Sequence, residues 1–488
     1  MKQVLISITL IIFFLIPQES FSKDDLIWNL QENNFLENIE SDKSPINEDK
    51  KIFLEGEIAK YLDEEVVYAN LADCILTAIQ NSYDLKINEH ELWASQWEYR
   101  AKAAELIPNF SYSFDISDLR GEFLVGGVVP IRVHETVIQS SFDLTWDITN
   151  QGKTIFEMAA IKNVVKSKRY NLDYTLDEVI LNTALNYYNL LGRKMEIDVY
   201  RINLKEREEQ LKMIKAKYEL GMSSKFDTFR AEAETARAKQ EYITLFNNLR
   251  YLQAKISNIM GIDVITTVYP IEQTIRIQKI IDPSYGIEEL FEIALKERDD
   301  LDRKRKEIRA MEIERNKIFA DFIPKVGVIA SHQQVGTVRL GLRTNESLTL
   351  QTVVPLGRNL GVNTFMRAKI ETEKINAEKL KLKKMERQIK EDIIISYYDS
   401  KTQLEKIEAA KKEVFSAEES LKIAMIRMEL GESTFLDVLQ AQHAKTEARQ
   451  ILVQHIVDYN KSQIQTLFNI GLITKCAVLT NYRMPKVN

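Results

Sequence analysis

The side chains best suited to covalent or metal chemistry are few and badly spaced for it. Five histidines, His90, His134, His332, His443 and His455, include no HExxH pair. Two cysteines, Cys74 and Cys476, cannot by themselves build a zinc site or a disulfide framework. No Walker loop, GxSxG elbow or GxGxxG turn before a helix occurs. The sequence therefore predicts no enzyme, no cofactor and no resident metal. What does recur is a short pattern, Leu220-Gly221-Met222-Ser223 with Asp227, and again Leu430-Gly431-Glu432-Ser433 with Asp437. Glycine there permits a left-handed turn, the serine offers a cap to the next helix, and the carboxylate stands in that helix's first turn, where the dipole favours it.

These residues must be held by long helices. The 488 residues contain only 16 Gly and 9 Pro, against about 34 and 24 expected from average usage. Leu71–Pro108 aligns with Ile287–Pro324 at an offset of 216, and Tyr187-Tyr188, Leu220-Gly221, Asp227 and Gly261 recur 210 residues on as Tyr397-Tyr398, Leu430-Gly431, Asp437 and Gly471. The chain is one unit written twice. Each copy opens with a helix, Leu71–Leu106 or Ile287–Ile323, that a proline stops. Alternating segments follow in each, Phe110–Ile116 and Val137–Trp146, then Val326–Ala330, Val335–Leu342 and Leu348–Val353, and these predict two strands per copy. Ser117–Thr136 and Gln333–Glu346, where glycines gather, predict the connections.

Val362–Leu430 then runs 69 residues without Gly or Pro, a helix of roughly 100 Å at 1.5 Å per residue. The equivalent stretch of the first copy is interrupted by Gly192. Apolar residues recur every seven, Leu190, Ile197, Leu204, Leu211 and Tyr218, and Ile407, Val414, Leu421 and Met428, which predicts a coiled-coil seam. Gly221 and Gly431 turn each long helix back into an antiparallel hairpin that ends at Gly261 or Gly471. The lysines between Lys369 and Lys384 alternate with Glu371, Glu373 and Glu378, as on a solvated helix face. With a net charge of −6 and a pI near 5.7, no nucleic-acid partner is expected.

Lys2, the apolar run Val4–Ile16 and Ser20-Phe21-Ser22 predict a cleaved export signal over 1–22. An acidic extension over 23–70, a first repeat over 71–262, a linker over 263–286, a second repeat over 287–472 and a tail over 473–488 complete the expected organisation. Four strands cannot close a membrane barrel, which needs about eight. They are therefore soluble or shared between chains.

With its duplicated hairpins, helix-proline-strand junctions and paired tips, the chain resembles the TolC-type outer-membrane efflux channels from about Leu71 to Leu472. That resemblance implies a mainly α fold with transmembrane β, in which long antiparallel helical hairpins form a periplasmic α-barrel and four strands per chain enter a twelve-stranded barrel shared by a homotrimer. It implies contact with outer-membrane lipid, and a passive exit duct served by a periplasmic adaptor and an inner-membrane RND or ABC transporter. The docking tips map onto Leu220, Gly221, Ser223, Leu430, Gly431 and Ser433. The gate maps onto Asp437 and its counterpart Asp227, with Gln440 standing where the family pattern carries a second acid. The fold would bring Cys74 and Cys476 near each other, close enough for a disulfide. A periplasmic coiled-coil adaptor or scaffold without a pore is the competing reading; it would carry one hairpin between glycine-rich segments rather than two hairpins that each follow a strand pair.

Overall fold

A computed structural model describes residues 66–474 except 126–128, 282–284, 338–340 and 356–360. The expected export signal, most of the acidic extension and Cys476 lie outside these residues.

Strand β1 (Val66–Ala69) pairs in parallel with β4 (Thr267–Pro270), tying the end of the acidic segment to the linker between the repeats. The opening helix of each repeat is not continuous, as the sequence predicts, but broken at matching positions. The first copy has α1 (Leu71–Asn81) and α2 (Tyr83–Ala104), and the second has α5 (Ile287–Glu297) and α6 (Asp299–Ile318). Ser82 leaves the helical region at ψ 122° and its hydroxyl accepts from Leu85 N to start the next helix. Arg298, 216 residues later, leaves the helical region at ψ 117° but caps α6 with no side-chain hydrogen bond. Neither residue is a breaker. The cause is tertiary: Gly261 and Gly471, both at positive φ, sit against Asn81 and Glu297.

The long helices are α3 (Lys153–Glu219, 67 residues) and α7 (Val362–Glu429, 68 residues), returning as α4 (Lys225–Ile259) and α8 (Phe435–Asn469). Gly192 does not interrupt α3, which runs straight through it. Leu190, Ile197, Ile407 and Leu421 of the seven-residue pattern are buried, Leu204, Leu211, Val414 and Met428 are half-buried, and Tyr218 near the tip is exposed. One core draws on both repeats, with Ile75, Ile180, Ala184 and Tyr188 meeting Leu290, Leu301, Ile393, Val457 and Leu467. Burying such side chains stabilises by about 1.5–3 kcal/mol each. The linker is fastened to the helices by Gln463 Oε1, which accepts from Ile280 N and Ile281 N, and by Lys194 Nζ, which donates to the Pro270 and Glu272 carbonyls at 2.7 and 2.8 Å. Several lysines of α7 are ion-paired, among them Lys374 with Glu371, Lys379 with Glu312 and Lys381 with Glu378.

The strands are β2 (Asn109–Val125), β3 (Val129–Asp147), β5 (Lys325–Thr337) and β6 (Gly341–Val353), in one antiparallel sheet ordered β2-β3-β5-β6. They extend through most of the segments expected to be connections. Ladder pairing continues past the end of the apolar alternation, for example Asp118 opposite Thr136 and Gln334 opposite Thr344. Backbone hydrogen bonds, which carry no sequence signature, decide the strand length.

Candidate functional site at the tips and the sheet

The sheet sorts its side chains by face. Register puts Phe110, Tyr112, Phe114 and Ile116 of β2 level with Leu144, Phe142, Ser140 and Ile138 of β3, and Leu348 and Leu350 of β6 on the same side. Tyr112, Phe114, Ile116, Leu348 and Leu350 are all more than half exposed. The opposite face carries Ser111, Ser113, Asp115, Ser141, Asp143, Ser331 and Gln333. There Ser113 and Ser141 meet at 2.9 Å, and Asp143 accepts from Ser141 and Ser331 at 2.7 and 2.5 Å. An apolar face and a wet face on one sheet match a wall between lipid and an aqueous lumen. No described helix is long and apolar enough to cross a membrane.

At the far end of the hairpins, Gly221 and Gly431 take φ of +72° and +78°, and nothing lies within 4 Å of where a Cβ would stand. The glycines are there for the turn. Each following helix opens with a capping box, but the cap is one residue later than the sequence predicts: Ser224 and Thr434 accept from Asp227 N and Asp437 N at 3.1 and 3.3 Å. The box requires the cap three residues before the acid, which Ser223 and Ser433 are not. Ser433 instead donates its hydroxyl to Asp437 Oδ2 at 2.9 Å, where Thr434 N and Thr434 Oγ1 also donate at 2.8 Å each. Thr434 backbone N–H, then the Thr434 and Ser433 hydroxyls, hold this exposed carboxyl below its ordinary value of 3.8. Asp437 and Gln440 both lie on the exposed side of α8.

Exposed apolar surface at the first tip extends beyond the repeated leucine. Leu220, Met222, Phe226 and Phe229 are between 59% and 74% exposed. The second tip differs, with Leu430 exposed but Phe435 turned into a small core with Ile214, Ala231 and Leu439. That core joins the two hairpins. A polar layer lies next to it along the helices: Glu206 of α3 accepts from Gln442 at 3.1 Å and pairs with Lys445 at 2.7 Å, and His443 stands 3.3 Å from Glu234. Arg207 is buried beside these acids, and desolvation lowers its pKa. These contacts join residues more than 200 positions apart, which periodicity within one segment does not reveal.

His455 is bonded to Gln403 at 3.0 Å, and burial lowers its pKa. Cys74 is fully buried, which pushes its thiol up to about 12.

The model of the outer membrane efflux protein family matches residues 75–261 and 290–468. The alkaline protease secretion protein AprF of Pseudomonas aeruginosa is 21% identical over 439 residues, covering 86% of this chain and 88% of that protein. Among solved structures, the outer membrane protein VceC of Vibrio cholerae superposes with a TM-score of 0.70 at 17% identity, covering 82% of this chain and 96% of that one. The CmeC outer membrane channel of Campylobacter jejuni gives 0.72 at 15% identity, with 83% and 86% covered.

Proposed function

The chain belongs to the outer membrane efflux protein family and is an outer-membrane exit duct reaching into the periplasm, and from that premise we propose how it assembles and is engaged. Three copies each contribute four strands to one twelve-stranded barrel, apolar face to lipid and Ser/Asp/Gln face to the lumen. The observation that carries this is the sheet with two sorted faces and two open edges, β2 and β6. In lipid, an edge whose backbone groups lack partners costs several kcal/mol per group, so one copy cannot stand alone.

The hairpins extend this lumen toward the inner membrane, and a periplasmic adaptor docks on the tips to link the duct to an energised transporter. Leu220, Met222, Phe226 and Phe229 supply the apolar anchor, with Gly221, Ser223, Leu430, Gly431 and Ser433 shaping the turns around it. Asp437 of three copies rings the entrance, with Gln440 one turn further in and Asp227 on the neighbouring helix. A ring of like charge favours cations and resists full closure. The likeness to AprF favours a polypeptide as cargo.

Adding purified protein to a planar lipid bilayer should produce stable conductance steps. Recovery as a soluble periplasmic protein that never conducts would contradict the reading and support a scaffold.

A further inference from the structure

The two open edges of the sheet each carry charged side chains held in a pair within the chain. At the β6 edge, Glu346 pairs with His332 at 3.0 Å on the apolar face. At the β2 edge, Arg120 holds Asp118 at 2.6 Å, and His134 lies 3.5 Å from the same carboxylate. We propose that these edges join between copies in the register the chain already uses between its own two hairpins, which sets Glu346 opposite Arg120 of the partner subunit. The inference rests on the trimeric reading above and goes beyond it by fixing the seam.

The register follows from the duplication. Asn109 opens β2 opposite Thr145, and Lys325 opens β5 opposite Val353. The first hairpin therefore becomes the second by adding 216 (325 minus 109) to a β2 position and 208 (353 minus 145) to a β3 position. Between the hairpins, Ile138 of β3 faces Gly336 of β5. Moved one hairpin along, Ile138 becomes Glu346 (138 plus 208) and Gly336 becomes Arg120 (336 minus 216). The same step sets Leu350 opposite Ile116 of the partner subunit, because Phe142 faces His332 within the chain. Both shifts are even, so apolar and wet faces are kept across the seam.

Charge agrees with this register and opposes its neighbour. With Arg120 of the partner subunit across from it, Glu346 completes a run from His332 to the partner subunit's Asp118. A slip of two residues would instead set Glu346 against the partner's Asp118, and like charges directly opposed on a sheet are destabilising. Three such seams would link the in-chain pairs of neighbouring copies around the barrel.

Cysteine pairs read the register directly. Opposed residues on antiparallel strands have Cα atoms about 4.5–5.5 Å apart, within disulfide reach, whereas a diagonal slip of two takes them to about 7–8 Å. In a chain whose Cys74 and Cys476 are replaced by alanine, the pairs Arg120→Cys/Glu346→Cys, Asp118→Cys/Glu346→Cys and Ile116→Cys/Glu346→Cys are oxidised in isolated outer membranes. The in-chain pair Ser140→Cys/Gln334→Cys serves as the oxidation control, and native mass spectrometry records assembly before oxidation. The proposed seam predicts that only the first pair converts most of the chains to covalent dimers and closed trimers. Preferential cross-linking of either shifted pair overturns the register while leaving the trimer intact. No cross-link from any pair, in a chain that still forms trimers and whose in-chain control pair oxidises, likewise overturns the proposed register. A chain that stays monomeric overturns the trimeric reading itself.

Discussion

Gly192 of α3 lies so close to Val457 of α8 that a Cβ on the glycine would stand 2.6 Å from Val457 Cγ2. The two helices come from different repeats, and this is where their backbones are pressed together beside the shared core. Gly192→Ala should therefore destabilise by about 1–3 kcal/mol through overpacking, despite alanine's higher helix propensity. Adding Val457→Ala should recover part of the loss. Chemical unfolding of wild type, single and double variants measures both.

Arg298 and Asp300 form a buried pair at the break between α5 and α6, with Nε to Oδ1 at 2.9 Å and Nη2 to Oδ2 at 2.6 Å, while Nη1 donates to the Asn469 carbonyl. Asp300→Asn leaves the guanidinium buried without its counter-charge. A loss of about 3–5 kcal/mol in unfolding free energy is expected. Mutating the exposed pair Lys411–Glu408 should leave stability nearly unchanged.

Lys194 gives a pH dependence of definite sign. Burial pushes its ammonium down from 10.5 to about 8, against the pull of Asp198 and Glu272. Between those two values the unfolded chain holds a proton that the folded chain has released, so this group makes stability rise with pH across that window. Unfolding measured at several pH values should show a shallower rise for Lys194→Met than for wild type. Equal slopes would remove Lys194 from the account.

How much of this was legible in the sequence depended on whether the cause was local. The tips and hairpins were legible because glycine at positive φ and a seven-residue spacing are properties of one segment. The breaks at Ser82 and Arg298 were not, because what shapes them is the backbone of Gly261 and Gly471 arriving from some 170 residues away. Strand ends were misplaced for a similar reason, since Asp118 and Arg120 look like turn residues until the opposing strand pairs them. At the tips, the repeat marks Asp227 and Asp437, whereas nothing in it marks the exposure of Met222, Phe226 and Phe229. An apolar residue beside a turn glycine reads as core until its exposure is known.

Those three residues provide a test that stability does not confound. They are exposed, so Met222→Ser and Phe226→Ser should leave unfolding nearly unchanged. Affinity for the cognate adaptor, measured by calorimetry, should fall at least roughly tenfold if they are the apolar anchor.

Asp437 should keep its charge below pH 3.8, because its three hydrogen bonds favour the carboxylate. Whatever the carboxylate contributes at the tip is present above that value and is lost only as pH falls through its lowered pKa. Block of single-channel current by divalent cations should therefore persist at mildly acidic pH. Asp437→Asn should weaken the block, and unchanged block would remove Asp437 from the gate.

In the proposed trimer one chain supplies a third of the pore wall, and single-particle electron microscopy of the detergent-extracted protein tests this most directly. The expected result is a three-fold particle with a closed ring of twelve strands, Phe110, Tyr112 and Phe114 outward and Ser113, Asp143 and Gln333 lining the lumen. A single chain with β2 and β6 unjoined, or a ring with its apolar face inward, would contradict it.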